Sequence, residues 1–572
     1  MAHTGDAVFL SDGRNTIRYR DLPAVVRTAD HHLLTNLQGD GPDRHRDTKL
    51  PAWFGIDTTH RFEAVLWMAC LWLRNIPFVP FSIHNPEPAA LFRPDAIILT
   101  SPETKKNPLI TELLAAREGN PTVASFLSTG LSQCLDAGAG TDPANLLQSA
   151  PITDPDAPFC GIATSGSSGR PKRVVLLRGN MMAATQNAFR DMQRFPDSSK
   201  ASRDDTSNAP GIHWDDYLWG NCLPLDHTGG LTIVFRALLS GTGIFLWDRF
   251  DEQTIISDLR AHPEIRRISL VPTMLKRLLA YGSGQGLQPP DRLDQVLLGG
   301  GPAGGDLITE ARSAGWPVSF SYGMTETCGQ VVAQEWIDVP APGYDPPESA
   351  GKPFPGHELS IRDGAGRELP AGETGLLWVR GPQVFPGYLG DDRRIVPSVS
   401  GPDRDGWFDT GDYARLDDQG NLFIEARRTD LIVSGGENVN PVEVEQILRS
   451  FPQVRDAAVV GVSDDEWGQM VVAFIVPEKP GIFPVSLEDP EKLHDPAIRG
   501  EPAPKDAHLP DEERLALLAN LESSVAKFSA DNLKPHQRPK TFFFTTSIPR
   551  TALGKIERQK LQDKARGLPG GI

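Results

Sequence analysis

Along most of the chain, short apolar runs of strand length alternate with segments of helical periodicity, and that alternation commits a sequence to an α/β fold. FEAVLWMACLWL (62–73) reads as a buried helix, IPFVPF (76–81) as a strand after it and DAIILT (95–100) as another strand. LTIVFRALLSGTGIFLW (231–247) reads as a helix, a glycine stop and a strand. ISLVPTMLKRLLAYG (268–282) runs from strand into helix, and VLLGGGP (296–302) is a strand ending in glycines. With 572 residues the chain exceeds a single compact domain, and about 150 residues per domain implies three or four structural units.

A boundary falls near residues 426–440. Asn440 and Pro441 are suited to N-cap and first helical position, and Val444, Ile447, Leu448 and Phe451 then form one apolar face. Strands AAVVGV (457–462) and MVVAFIVP (470–477) follow. Seven prolines among many charges make 478–510 a mobile insertion rather than core, and PDSSKASRDDTSNAPG (196–211) is an exposed loop. Leu517, Leu518, Leu521, Val525 and Phe528 define another amphipathic helix, and TFFFT (541–545) a strand. The predicted organisation is a large N-terminal domain over 1–428 and a small α+β domain over 429–572.

Hydrophobic residues make up 39% and charged residues 23%, ordinary for a soluble globular chain, and 54 glycines with 50 prolines stop short of low complexity. A net charge of −17 provides no general field for nucleic acid or an anionic membrane, though inward-aimed backbone or a few cations can still bind anions locally. Cys70, Cys134, Cys160, Cys222 and Cys328 are scattered, without metal-ligand or disulfide spacing, which fits a reducing compartment. No signal peptide is visible, and AVLWMACLWL (64–73) is too short to span a bilayer, so the expected location is cytoplasmic.

The most informative stretch is FCGIATSGSSGRPKRVVLL (159–177). Between two apolar runs stand Thr164, Ser165, Gly166, Ser167, Ser168 and Gly169, followed by Lys172. Small hydroxylated residues and glycines let successive backbone N–H groups turn toward one point and hold phosphate oxygens. A Walker loop is excluded, because Lys172 follows Arg170-Pro171 rather than a glycine.

TSGSSGRPK resembles the phosphate loop of the adenylate-forming superfamily, which comprises acyl- and aryl-CoA synthetases, peptide-synthetase adenylation domains and luciferases. Further motifs of that family follow in order: LPLDHTGG (223–230), LLGGGP (297–302), SYGMTET (321–327), WFDTGD (407–412), ARRTDLIVSGGENVNPVEVE (426–445) and PRTALGK (549–555). The resemblance spans about residues 50 to 565 and is nearest in wording to the o-succinylbenzoate–CoA ligase-like enzymes. It implies a large domain of packed sheets and helices with a small mobile lid. It also implies an AMP-forming acid–thiol ligase that uses ATP, Mg2+ and coenzyme A, forming an acyl-adenylate and then a thioester.

By that resemblance Thr164–Gly169 and Lys172 hold the outgoing phosphates, Tyr322 meets adenine, Thr325 lies near the α-phosphate and Glu326 positions Mg2+. Gly299, Gly300 and Gly301 give adenine close access, and Asp412 with Arg427 binds the ribose. Lys555 is the catalytic lysine of adenylation. His227 lines or gates the acyl pocket, with Met274, Gly301, Gly323 and Gly329. Gly435, Gly436 and Glu437 meet coenzyme A, and Thr429 or Asp430 forms the hinge about which the lid rotates.

Three departures stand out. Arg173 replaces the glycine usual after Pro-Lys, at a loop that serves only the ATP-using step. The hinge carboxylate falls at Asp430, one place after Thr429, and the 478–510 connection is long. Three readings follow: a complete two-step ligase, a protein that makes only the thioester from a supplied acyl-adenylate, and a non-catalytic adenylate-binding scaffold. No carrier segment is visible after residue 565, and the VSGGEN wording favours coenzyme A over a carrier protein as acceptor. The acid is expected to be bulky and mostly apolar, from secondary or quinone-type metabolism. A homo-oligomer is allowed but not indicated.

Overall fold

The computed structural model describes residues 7–26, 28–29, 53–92, 94, 96–100, 106–108, 123–125, 154–164, 171–193, 217–285, 288–303, 305–334, 348–391, 394–396, 401–428, 430–464, 467–478, 511–551 and 554–567. The predicted loop 196–211, the insertion from 479 to 510, Ser165–Gly169, Thr429 and Cys134 lie outside the described residues. The chain divides into two compact units, one of residues 1–410 with 415–423 and one of 411–414 with 424–572.

The first unit holds two large sheets. A nine-stranded sheet runs, neighbour to neighbour, through Lys352–Pro353, Gly329–Ala333, Val318–Met324, Gln295–Leu298, Ile265–Leu270, Leu218–Asn221, Gly243–Leu246, Val8–Ser11 and Thr16–Arg18. From Val318–Met324 to Val8–Ser11 every pairing is parallel. An eight-stranded sheet runs through Ile395–Val396, Gly387–Leu389, Lys172–Leu177, Pro158–Thr164, Phe78–Phe81, Phe54–Asp57, Ala96–Leu99 and Val123–Ser125. A four-stranded sheet of Glu358–Arg362, Gly375–Arg380, Phe408–Leu416 and Leu422–Arg427 completes the set.

Helices Arg61–Leu73 and Thr228–Ser240 join both large sheets in one core. Both are apolar nearly all round, the pattern of a helix with no solvent face, and every residue from Ala64 to Trp72 is buried. Trp72, Phe78, Phe159 and Phe235 meet there, with Phe159 and Phe235 edge to face at 4.6 Å between centroids. Thr228–Ser240 stops as its sequence predicts, at Gly241 in the left-handed region. Among the described residues no helix is long and apolar enough to cross a membrane.

The second unit shows why its strands carry unbroken apolar runs. Along Val454–Asp464, Ala457 and Val459 face one cluster with helices Pro441–Arg449 and Asp511–Asn532, while Ala458 and Val460 face Leu561 and Ala565 of helix Arg558–Gly567. Gly468–Pro477 alternates in the same way, so both faces of the sheet are covered. Asn440 caps its helix through the Val442 N–H at 3.0 Å. The helix ends at Arg449, so Phe451 packs from beyond it. Of the predicted face on Asp511–Asn532, Leu521 and Val525 are buried and Leu517 is exposed, because the apolar stripe starts one turn later than its first leucine.

Candidate active site

The parallel strands end where the motifs begin. Leu218–Asn221 is followed by 223–230, Ile265–Leu270 by Val271 to Met274, Gln295–Leu298 by Gly299–Gly301, and Val318–Met324 by Thr325–Thr327. From Leu218–Asn221 the chain first adds Gly243–Leu246 on one side, then crosses back to place Ile265–Leu270 on the other. That reversal opens a crevice at the carboxyl ends of the strands, where doubly wound sheets bind ligands. His227 follows the first of these strands and Met274 the last.

His227 is the extended N-cap of Thr228–Ser240, and its imidazole makes no capping bond. The loop before it is braced from beneath. Arg61 Nη2 donates to the carbonyls of Asn221 at 3.2 Å and Leu223 at 2.8 Å, and burial pulls this guanidinium down to about 10, still a cation at neutral pH. Asn85 Nδ2 donates to the buried Asp226 at 2.9 Å, tying the loop to the other large sheet.

Thr325 and Glu326 sit on a tight turn between Val318–Met324 and its antiparallel partner Gly329–Ala333. The Thr327 hydroxyl accepts from Met324 N at 3.0 Å and bonds the Gly329 carbonyl at 2.8 Å, closing the turn on itself. Thr228 Oγ1 donates to Thr325 Oγ1 at 3.1 Å, so the helix start and the turn meet. At Gly323 the two backbones approach so closely that a Cβ would lie 2.1 Å from the Gly329 carbonyl oxygen. Glu326 is buried, with Phe385 N donating to its carbonyl at 2.8 Å. Tyr322 is buried one strand position before Gly323.

Strands Pro158–Thr164 and Lys172–Leu177 form a hairpin that sets Thr164 opposite Lys172. Lys172 Nζ lies 3.5 Å from the Tyr388 hydroxyl, which donates to Glu326 Oε1 at 3.1 Å. Arg173 points to the opposite face of the strand, as alternation requires, donating to the Leu91 carbonyl at 3.4 Å and pairing with the exposed Asp391. The residue that departs from the family pattern therefore turns away from Lys172. Arg173→Gly is expected to change the rate of ATP-dependent acid activation by no more than about twofold, since the side chain turns away from Lys172 and an ion pair to a fully exposed carboxylate is worth little. A product-release assay of pyrophosphate checks this.

A Cβ at Gly329 would stand in ordinary contact with Thr232 Cγ2 at 3.4 Å and with Arg236 Nη2 and Thr228 Cγ2 at 3.9 Å. Arg236 is buried and lies over the Trp219 ring at 5.4 Å. Nothing in its helical apolar context, TIVFRALL, marks this cation as a neighbour of Gly329. Tyr388, Arg61 and Asn85 were equally invisible in the sequence, because each acquires its partner only through strand pairing or loop packing.

In the second unit Arg427 Nε donates to the buried Asp412 carboxylate at 3.1 Å. Asp430 accepts from Arg558 Nε at 3.4 Å, and Arg558 also bonds the buried Glu445 and the Val459 carbonyl. Gly435 and Gly436 form a two-residue hairpin turn with φ of 61° and 83°, a conformation that favours glycine. Glu437 follows, exposed, and the Gly435 N–H donates to the Trp467 carbonyl at 2.8 Å. The Lys540 ammonium lies 4.5 Å from the centroid of the Trp467 ring. Lys555 is exposed at a turn closed by Thr551 and by Gly554 at φ 75°.

Taken together, the doubly wound sheet, the Lys172 hairpin and the carboxylate turn define an α/β protein of the class that takes its ligands at strand ends. A family model described as AMP-binding enzyme matches residues 82–389, and one described as AMP-binding enzyme C-terminal domain matches 443–555. The 2-succinylbenzoate–CoA ligase of Bacillus pumilus is 34% identical over 401 residues, covering 70% of this chain and 68% of that one. The enzyme of the same name from Enterococcus faecalis is 34% identical over 403 residues, covering 70% and 69%. O-succinylbenzoate coenzyme A synthetase from Bacillus subtilis, in complex with ATP and magnesium ion, superposes with a TM-score of 0.68 at 25% identity, covering 97% of each chain. The chain belongs to the AMP-binding enzyme family.

Proposed function

We propose that this chain is an acyl-CoA ligase that joins a carboxylic acid to the α-phosphate of ATP and then passes the acyl group to coenzyme A. The observation that carries the reading is the convergence of Lys172, Glu326 and Thr325 beside a strand-end crevice. In this reading Thr164–Gly169 and Lys172 bind the leaving pyrophosphate, Tyr322 and Gly299–Gly301 the adenine, and Asp412 with Arg427 the ribose hydroxyls. Lys555 stabilises charge shared by the acid and the α-phosphate during adenylation.

The residues present suit Mg2+. Glu326 offers a buried carboxylate with lone pairs to spare beyond its bond from Tyr388, and Mg2+ favours one or two carboxylates completed by phosphate oxygens and water. Bound with the nucleotide, the ion would neutralise phosphate charge. Gly435, Gly436 and Glu437 are assigned to coenzyme A, where the adjoining Trp467 ring and Lys540 supply an aromatic face and a positive charge. Residues 429–572 are read as the lid, with Thr429 or Asp430 as its hinge.

His227, Met274, Gly301, Gly323 and Gly329 are assigned to the acyl pocket. The buried Arg236 beside Gly329 supports a bulky acid that carries a second anionic group, as the succinylbenzoate named for the relatives does. Arg236→Met is expected to lower kcat/KM for such a diacid about 10- to 100-fold, because an isolated charge would then be left in an apolar site, while sparing a monoacid of similar bulk. The four described cysteines are all buried and free, in keeping with the reducing cytoplasm this reading implies.

Mass spectrometry of the protein with Mg-ATP, coenzyme A and a panel of acids, following AMP, acyl-adenylate and acyl-CoA separately, tests the reading. Acid-dependent AMP together with acyl-CoA is expected. Acyl-CoA formed only from supplied acyl-adenylate would leave the thioester step alone, and no product in either assay would leave a scaffold.

A further inference from the structure

Lys172 and Glu326 come from different sheet systems, and what joins them is one phenol. Tyr388 lies in strand Gly387–Leu389, which pairs antiparallel with Lys172–Leu177 so that Tyr388 stands opposite Val174, on the same face as Lys172. Its hydroxyl hydrogen goes to Glu326 Oε1 at 3.1 Å, and its lone pair faces the Lys172 ammonium at 3.5 Å. The same ammonium lies 4.8 Å from the centroid of the Tyr388 ring.

The placement of Tyr388 is enforced from behind. Phe385 packs edge to face against it at 4.8 Å and against Phe408 at 5.2 Å. The segment leading to it is bonded to the carboxylate turn: Phe385 N to the Glu326 carbonyl, and Gln383 Nε2 to the carbonyls of Thr327 and Gln330. Asn187 Nδ2 in turn holds Gln383 Oε1 at 2.8 Å, and Asn180 Nδ2 bonds the carbonyls of Pro382 and Val384. Burial, and then the Glu326 charge, push the Tyr388 phenol well above its ordinary range, so it remains a donor at neutral pH.

We propose that Tyr388 is a positioning residue for nucleotide activation: it orients the Glu326 carboxylate toward the metal ion and holds the Lys172 ammonium beside it, so that both address the same phosphates. The inference rests on the roles given above to Lys172 and Glu326. It differs from them in assigning the alignment of the two charges to a residue that need not touch the nucleotide. Without the hydroxyl, Glu326 loses the one donor its carboxylate has among the described residues and Lys172 keeps the ring face, so both must be ordered when Mg-ATP binds.

The test uses full-length protein and Tyr388→Phe, which keeps the ring and its packing. Two readouts are followed against free Mg2+: acid-dependent pyrophosphate exchange, and the shift in melting temperature on adding ATP without any acid. Thioester formation from a synthetic acyl-adenylate and coenzyme A is measured in parallel. Expected are a fall in exchange of about 10- to 100-fold, a several-fold rise in the Mg2+ needed for half of the ATP-induced melting shift, and thioester formation within about twofold of the parent. An unchanged Mg2+ dependence with unchanged exchange overturns the proposal. So does an equal loss in both half-reactions, which would mark Tyr388 as structural; Tyr388→Leu, lacking the ring, shows what that loss looks like. Absence of exchange in the parent protein would sink the ligase reading instead, and the Mg2+ dependence of the melting shift would still decide the role of Tyr388.

Discussion

Lys555→Ala is expected to lower acid-dependent AMP formation about 10²- to 10³-fold, the loss that follows removal of one preorganised donor to developing charge. Thioester formation from a supplied acyl-adenylate should stay within about twofold, because in the assigned mechanism the ammonium acts only while the α-phosphate is being transferred. The side chain is exposed and stands on a turn whose closure uses backbone groups and the Thr551 hydroxyl. The melting temperature should therefore not move. Single-turnover assays of the two half-reactions, run side by side, make the comparison. Equal losses in both, or in neither, would refute the assignment of Lys555 to adenylation.

Gly323→Ala should cost both stability and activity, for a reason that is wholly steric. The new Cβ would meet the Gly329 carbonyl oxygen at 2.1 Å and Gln330 Cα at 2.4 Å, and neither can yield by changing rotamer. The turn carrying Thr325 and Glu326 must open instead. Overpacking of this kind costs about 1–3 kcal/mol, a drop of a few degrees in melting temperature for a unit of this size. Displacing the carboxylate by about 1 Å is expected to slow adenylation about 100-fold. Gly364→Ala is the contrast, since nothing lies within 4 Å of where its Cβ would stand, and both fold and rate should survive. Calorimetric melting and pyrophosphate exchange on the two variants separate the cases. Tolerance of Gly323→Ala would mean that the turn is not the rigid support described.

Much of the fold was legible because its signals are local. The stop at Gly241 and the Asn440 cap depend on residues within a turn of one another, and their predicted places match the structure. The apolar run FEAVLWMACLWL predicts a helix without a solvent face, and Arg61–Leu73 lies between the sheets as such a helix must. Where the prediction slipped, at Leu517, the apolar residue lay at the end of a stripe, and a stripe alone does not say which of its residues finds a neighbour.

The candidate site divides in the same way. Lys172, Thr325, Glu326, Asp412 and Lys555 stand out as candidates because each sits inside a short stretch whose composition is itself unusual. Tyr388 and Arg236 do not, because PGYLG resembles an ordinary turn and TIVFRALL an ordinary buried helix. The sense of Arg173 was also out of reach. In the sequence it is a bulky cation beside a phosphate loop, and only strand alternation with the neighbouring Asp391 and Leu91 carbonyl sends it to the other face.

The sequence by itself determined the α/β class, the buried helices, the order of motifs and the family, because periodicity, caps and glycine-rich turns are encoded within a few residues. Tertiary structure alone decided which charges meet. Lys172 and Tyr388 are 216 positions apart, and Tyr388 and Glu326 are 62 apart. No local preference specifies such pairs; they exist because the pairing of Gly387–Leu389 with Lys172–Leu177 makes distant parts of the chain neighbours.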